Sequence, residues 1–328
     1  MNVLVLREPE IRELIGPAAA LEAVRDAFVR LARGEATLPG VINLDIPPAQ
    51  GEVHVKGAWL HGTPFFSIKE AGGFYANGAK GLPVGSGLIL VFDAENGFLR
   101  AVLFDNAYLT ELRTGAAGAL AAQLLARKDA SRVAMIGAGG QARYQLAALC
   151  EVRPVREVFV WSRSPERAHE YVAEIRARFG VLAHAVATPR EAIEPADIVV
   201  TVTPAREPVV RAAWLRPGQH LTAVGSDGPD KQELEAAVVA RAHKVVADRL
   251  DQCLRLGEIH HAVAAGLFSA ERVHAELGEI AAGRKSGRTR EDEITLADLT
   301  GVGIQDAAVA NQVVAEALRR GLGESLAI

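Results

Sequence analysis

Cysteine is scarce in this chain: Cys150 and Cys253 are the only two among 328 residues. They lie far apart, set no metal-ligand spacing and no disulfide framework, and read as buried thiols of a reducing compartment. Long apolar runs are also missing, and none approaches the ~20 residues a membrane-crossing helix requires. Excess positive charge is absent too. The 36 Lys and Arg face 40 Asp and Glu, a net −4, so no basic field draws the chain to nucleic acid or to an anionic membrane. The opening stretch MNVLVLREPEIREL has an apolar patch of only Val3 to Leu6 before Glu8, Glu10 and Glu13, and does not read as a signal peptide. The expectation is a cytoplasmic protein with no nucleic-acid and no membrane partner.

What is present suits a soluble globular chain long enough for two domains at ~100–200 residues each. Residues 17–33 read as a helix: Pro17 suits its first turn, and Leu21, Val24, Phe28 and Leu31 share a face. From 41 to 104 short β-like runs follow one another, VHVKGAW, PFFSIKEAGGF, GLILVFD and FLRAVLFD, as in a meandering sheet. An Ala-rich helix over 107–127 follows, with Thr110 as a candidate N-cap. From about 130 strands and helices alternate, and runs such as RVAMIG, ADIVVTVT and HKVVAD are apolar throughout, which suits a parallel sheet covered on both faces. The charged segment 281–292 reads as a solvated loop, and DAAVANQVVAEALRR as a long final helix. The fold class is α/β: a Rossmann-type doubly wound parallel sheet over 127–302, with a discontinuous α+β domain from 1–126 and 303–328.

Strand Arg132–Ile136 runs into Gly137-Ala138-Gly139-Gly140-Gln141-Ala142 and then a helix. This is G-x-G-x-x-A in strand–turn–helix context, the dinucleotide fingerprint. Gly137 permits the turn, Gly139 lets backbone approach a pyrophosphate, Ala142 allows close packing, and Gly140 and Gln141 open the helix whose free N–H groups face phosphate. Gly301-Val302-Gly303-Ile304-Gln305-Asp306 mimics the spacing, but Asp306 fills the slot that needs a small residue, so it reads as a decoy. In NAD-preferring sites an acid ends the second strand and binds the ribose 2′-OH. Here that strand ends Trp161-Ser162-Arg163-Ser164. Two hydroxyls and a guanidinium suit a 2′-phosphate, so NADP(H) is favoured, with NAD(H) as the alternative.

Three basic residues stand out in the first domain. Lys69 lies in the apolar run FFSIK, Lys56 shares a strand face with His54, and Arg113 sits near the start of the Ala-rich helix. A lone strand lysine is usually solvated or ion-paired; the apolar surroundings of Lys69 argue for a buried, paired or functional group. Asp227 poses a different question. In LTAVGSDGPDKQEL an apolar strand stops in a glycine-bracketed turn that carries this acid, which is either ordinary turn chemistry or a group held at a strand tip. The pair His260-His261 lacks the i, i+4 spacing of a helical zinc site, so no metal is expected.

Taken together, GEVHVKGAWL, FFSIKEAGGF, LTELRTGAAGALAA, MIGAGGQAR, GSDGPDKQEL and DLTGVGIQD, in that order, resemble the ornithine cyclodeaminase/μ-crystallin family over nearly the whole chain. The resemblance implies a homodimer formed through the discontinuous domain, and a Rossmann domain for NAD(P). It implies that Lys69 and Arg113 bind a substrate α-carboxylate, that Lys69 also acts at the reacting nitrogen, and that Asp227 is the acid/base on the substrate amine. Thr114, Thr203 and the Gly301–Gly303 turn would lie beside cofactor and substrate. The chain also departs from the ornithine-cyclising pattern. A substrate-binding arginine of those enzymes falls near Val41, and their active-site glutamate falls on Lys56. An ammonium there disfavours the cationic tail of ornithine and favours a neutral or acidic one. The expected activity is NADPH-dependent reduction of a small α-imino acid such as Δ1-pyrroline-2-carboxylate. Ornithine cyclodeamination and an alanine-type dehydrogenase are the alternatives, and a non-catalytic nucleotide-binding protein is a more distant one.

Overall fold

The apolar–polar alternation of residues 51–104 produces the expected meander: Gly51–Leu60, Phe65–Phe74, Gly85–Asp93 and Leu99–Phe104 pair antiparallel in sequence order. The computed structural model, which describes Asn2–Ala327, adds two strands that local pattern did not announce. Asn2–Arg7 pairs in parallel with Leu99–Phe104, and Glu324–Ala327 pairs antiparallel with Asn2–Arg7. Ala36–Thr37 and Ile42–Ile46 both pair with Gly51–Leu60, giving an eight-stranded sheet among the described residues. Helices Pro17–Arg33 and Gly303–Arg320 pack on each other, and the second lies on strands Gly51–Leu60 and Phe65–Phe74. This sheet and these helices form one unit, Met1–Thr114 with Val302–Ile328.

The other unit, Gly115–Gly301, is built on eight parallel strands among the described residues. Their order is Leu182–Ala185, Glu157–Trp161, Arg132–Ile136, Ile198–Thr201, His220–Ala223, Thr295–Asp298, Lys244–Ala247 and Ala275–Glu276. The central strands are buried along their whole length because helices cover both faces. On one face Gly140–Cys150 and Pro165–Phe179 supply Leu146, Leu149, Tyr171 and Ile175; on the other Ile193, Val238, Val239 and Ile259 pack. This is the doubly wound arrangement expected from the alternation.

Two expectations are corrected. The helix read over 107–127 spans Tyr108–Leu125, and Thr110 lies inside it with a buried hydroxyl; Asp105 instead accepts the Leu109 N–H at 2.8 Å. The first unit ends at Thr114, within this helix, not at 126, because the helix begins among the contacts of one unit and ends among those of the other. Among the described residues no helix is long and apolar enough to cross a membrane.

Candidate active site

In the first unit the antiparallel register sets Lys56 directly opposite Lys69, so both ammonium groups project from one face. Like charges opposed across a ladder are destabilising unless an anion answers them. Both lysines are nonetheless buried, at 7% and 2% exposure. Arg113 is buried as well; its Nε donates to Asp306 Oδ1 at 2.9 Å and its Nη1 to Gln305 Oε1 at 2.8 Å. Both acceptors stand in the first turn of helix Gly303–Arg320. That turn comes close to the Lys56 strand because residue 303 is glycine: a Cβ there would lie 2.5 Å from the Gly57 carbonyl oxygen.

The electrostatics of Asp306 follow from these neighbours. Burial alone would push its carboxyl up, but Arg113, Lys69 and Lys56 outweigh burial and hold it below the ordinary carboxylate range. The nearby Asp105 goes the other way. Burial lifts its carboxyl to about 6, opposed by the Leu109 N–H and reinforced by the negative charge of Asp306. Thr114, one of the residues expected beside the cofactor, donates its hydroxyl to the Thr110 carbonyl at 2.7 Å. The structure therefore brings Lys56, Lys69, Arg113 and Gly303 together and adds Gln305 and Asp306. The residue that breaks the second glycine motif has a role of its own: Asp306 is the buried counter-ion of the arginine. Three cations around one fixed carboxylate make a buried charge cluster of a kind that can bind an anion, with the guanidinium oriented by its two acceptors.

In the second unit the glycine loop has the form a pyrophosphate needs. Gly137 adopts φ 120°, and a Cβ there would meet the Val202 carbonyl oxygen at 2.9 Å. Gly139 caps helix Gly140–Cys150 without a side-chain hydrogen bond, and nothing lies within 4 Å of a Cβ built at Gly139 or Gly140. The helix amides thus face open space that a phosphate can fill. Arg143 braces the loop by donating to the Gly139 carbonyl at 2.9 Å while gripping Glu174 at 2.6 Å. Ala142 is fully buried, its carbonyl accepting the Tyr171 hydroxyl, and Gln141 accepts from Gln145 at 3.0 Å. At the second strand's end Arg163 is exposed. Ser162 accepts the Ser164 N–H at 3.3 Å, and Ser164 is the N-cap of helix Pro165–Phe179, accepting the Arg167 N–H and donating to Glu166. Two hydroxyls and one exposed guanidinium thus stand at the end of the second strand, with Ser164 already engaged as a cap.

Asp227 lies in the loop after strand His220–Ala223, at 39% side-chain exposure, and accepts a hydrogen bond from Lys231 Nζ at 2.7 Å. Thr203 donates its hydroxyl to Glu233 at 2.7 Å. His261 meets the Lys231 carbonyl at 2.7 Å, and among the described residues no three His, Cys, Asp or Glu side chains gather as metal ligands. Glu233 was not singled out from sequence, where it is one of several acids in the stretch 227–235.

A doubly wound parallel sheet with an uncapped G-x-G-x-x-A helix start defines the Rossmann-type dinucleotide-binding class. The profile of the ornithine cyclodeaminase/mu-crystallin family matches residues 1–321, and the chain belongs to that family. It is 40% identical over 326 residues to an alanine dehydrogenase of Archaeoglobus fulgidus, covering 99% of this chain and 98% of that one. Two solved structures are similar over their full length. The Δ1-pyrroline-2-carboxylate reductase of Thermococcus litoralis, in complex with NADH and L-proline, superposes with a TM-score of 0.95 at 34% identity, covering 99% of this chain and 100% of that one. The iminosuccinate reductase of Paracoccus denitrificans, in complex with NAD+, superposes at 0.91 with 34% identity, covering 100% of both chains.

Proposed function

We propose that the protein is an NAD(P)H-dependent reductase of a small α-imino acid, with a cyclic ketimine such as Δ1-pyrroline-2-carboxylate or a small open-chain imino acid as substrate. The observation that carries this reading is the buried group Lys56, Lys69, Arg113 and Asp306. Asp306 and Gln305 hold the guanidinium of Arg113 so that its remaining edge meets the substrate α-carboxylate. Lys69 binds the same carboxylate and stabilises the reacting C=N nitrogen by donating a hydrogen bond to it. Asp227 manages the proton on that nitrogen. Lys56 adds positive charge beside the substrate tail, so neutral or acidic tails are accepted and a cationic one is disfavoured. Gly303 lets the Asp306 turn approach. Gly137, Gly139, Gly140, Gln141 and Ala142 hold the dinucleotide phosphates; Ser162, Arg163 and Ser164 meet the adenosine ribose, and Thr114 and Thr203 flank the nicotinamide. The nicotinamide supplies the hydride.

NADPH is the favoured form, because no acid follows Trp161 and Arg163 is exposed where a 2′-phosphate would sit. NADH is the second reading, supported by the NADH and NAD+ bound to the two solved relatives. An alanine-type dehydrogenase is likewise supported by the relative of that name. We also read the protein as a cytoplasmic homodimer. The exposed Ile42, Leu44 and Ile68, on the sheet face opposite Lys56 and Lys69, supply the apolar surface for a second copy.

The test is a panel of α-imino acids, α-amino acids and L-ornithine assayed with NADPH and with NADH. The expected result is net oxidation of the reduced cofactor by imino acids, with NADPH preferred on the order of 10-fold, a difference of ~1.4 kcal/mol. Conversion of ornithine to proline and ammonia with no net change in cofactor would point to cyclodeamination instead.

A further inference from the structure

The end of strand Ile198–Thr201 and the loop that follows strand His220–Ala223 converge on one buried side chain. Glu233 is 0% exposed, and its carboxylate accepts four hydrogen bonds: Thr201 Oγ1 at 2.6 Å, Thr203 N–H at 2.6 Å, Thr203 Oγ1 at 2.7 Å and Gly225 N–H at 2.8 Å. Two of the donors belong to segments that matter for the reaction. Thr203 packs on the glycine loop, its Cγ2 lying 3.2 Å from a Cβ built at Gly137. Gly225 begins the turn that carries Asp227. The convergence is close enough to dictate residue type: a Cβ at Gly225 would fall 2.2 Å from the Thr203 carbonyl oxygen and 2.6 Å from the Glu233 carboxyl carbon. Glu233 is itself fixed from behind, its N–H donating to Glu258 Oε1 at 2.8 Å and its carbonyl accepting the Val209 and Val210 N–H groups.

We propose that Glu233 is a positioning residue, whose carboxylate ties the Thr203 segment to the Gly225 turn and so holds Asp227 in register with Thr203 and the glycine loop on which it packs. The proposal rests on the reading of Asp227 as the proton-handling group. It explains why an acid occupies a site with no cation among its hydrogen-bond partners. Four donors aimed at two carboxylate oxygens fit an anion, whereas on protonation the acid's own hydrogen takes one of those positions, so that an N–H loses its acceptor or a threonine hydroxyl has to reverse and accept. The surroundings make that protonation accessible. Burial lifts the Glu233 carboxyl to about 7 against the pull of its donors. The charged groups facing this region are also acids. Glu258 is pushed far up by burial and by the charges of Asp298 and Glu233, Asp298 is lifted to about 7 by burial, with Asp248 and Glu233 adding, and Asp248 is raised by burial. The Lys231 ammonium in the same segment ion-pairs with Asp227. The tie is complete above about pH 7 and loosens as pH falls through that value.

Two variants and two readouts test this in the full-length protein. Glu233→Gln replaces an acceptor with a donor, and kcat should fall about 100-fold, the scale of an ångström-sized misplacement, with the low-pH limb of the kcat profile abolished. Thr201→Val is nearly isosteric and removes a single donor. At high pH kcat should stay within a few-fold of the parent, and the limb should move up by about one pH unit, as expected for one lost charge-assisted hydrogen bond. A residue that merely supports the fold would lower activity without moving the limb. Amide hydrogen exchange across residues 203–228 needs no turnover, so it separates failure of the tie from failure of the imino-acid reading. Both variants should exchange about 10-fold faster there, with the strand Arg132–Ile136 unchanged. Should Glu233→Gln fail to fold, Thr201→Val decides alone. A limb that stays in place, or, if no imino acid is turned over, unaltered exchange across 203–228, overturns the proposal.

Discussion

Replacing Lys69 with methionine lowers kcat/KM for imine reduction by about 1,000-fold or more, within the 10²–10⁴ range of a positioned proton donor combined with loss of a carboxylate contact. Lys69 is in the middle of strand Phe65–Phe74, 2% exposed, facing the helix that carries Asp306. A methionine fills the same linear space in that strand, so NADPH binding, followed by nucleotide fluorescence, should stay near the parental value. The split between constants is informative. A rise in KM alone means that Lys69 only anchors the carboxylate; a matching fall in kcat means that it also acts at the nitrogen in the transition state. A change smaller than 10-fold would remove Lys69 from the reacting centre.

Asp306→Ala has the larger effect on stability. Arg113 lies 2.9 Å from a carboxylate that is 1% exposed, and deleting one member of a buried pair typically costs ~3–5 kcal/mol, because the partner's charge stays behind in a site built around the anion. At ~2–4 °C per kcal/mol for a domain of this size, the apparent Tm should fall on the order of 10 °C. The pH dependence has a definite sign. The Asp306 carboxyl is depressed in the folded state below its ordinary 3.8, so its contribution is fully present above that value and is lost as pH falls through the lower, folded one. The gap between parent and variant should therefore be constant from neutral pH down to about 5 and close below about 4. Equal Tm values at neutral pH would mean that the arginine does not depend on Asp306.

Much of this architecture was legible because its signals are local. The glycine loop announces itself by its spacing between a strand and a helix, and the parallel sheet by apolar strands punctuated with helical periodicity. Lys56 and Lys69 could be singled out because a basic residue in an apolar alternating strand is anomalous wherever that strand lies. The role of Asp306 was not visible because it is not local: its partner Arg113 is 193 positions away, and its own neighbourhood imitates a broken glycine motif. The first strand was missed for a similar reason. Asn2–Arg7 is a short apolar patch that becomes a strand through parallel pairing with Leu99–Phe104. Glu233 is the extreme case, since a polar residue in DKQEL looks solvated until Thr201, Thr203 and Gly225 are folded around it.

The proposed reaction rests on one arrangement, in which cations fix an α-carboxylate so that the adjacent carbon receives hydride from the reduced nicotinamide. The most direct measurement is label transfer from NADPH deuterated at the transferable C4 position to product amino acid, read by mass spectrometry. The predicted result is one deuterium at the α-carbon per cofactor oxidised, with transfer lost in parallel with turnover in the Lys69→Met protein. Cofactor oxidation that leaves the α-carbon unlabelled, or labelling that persists undiminished without Lys69, would contradict it.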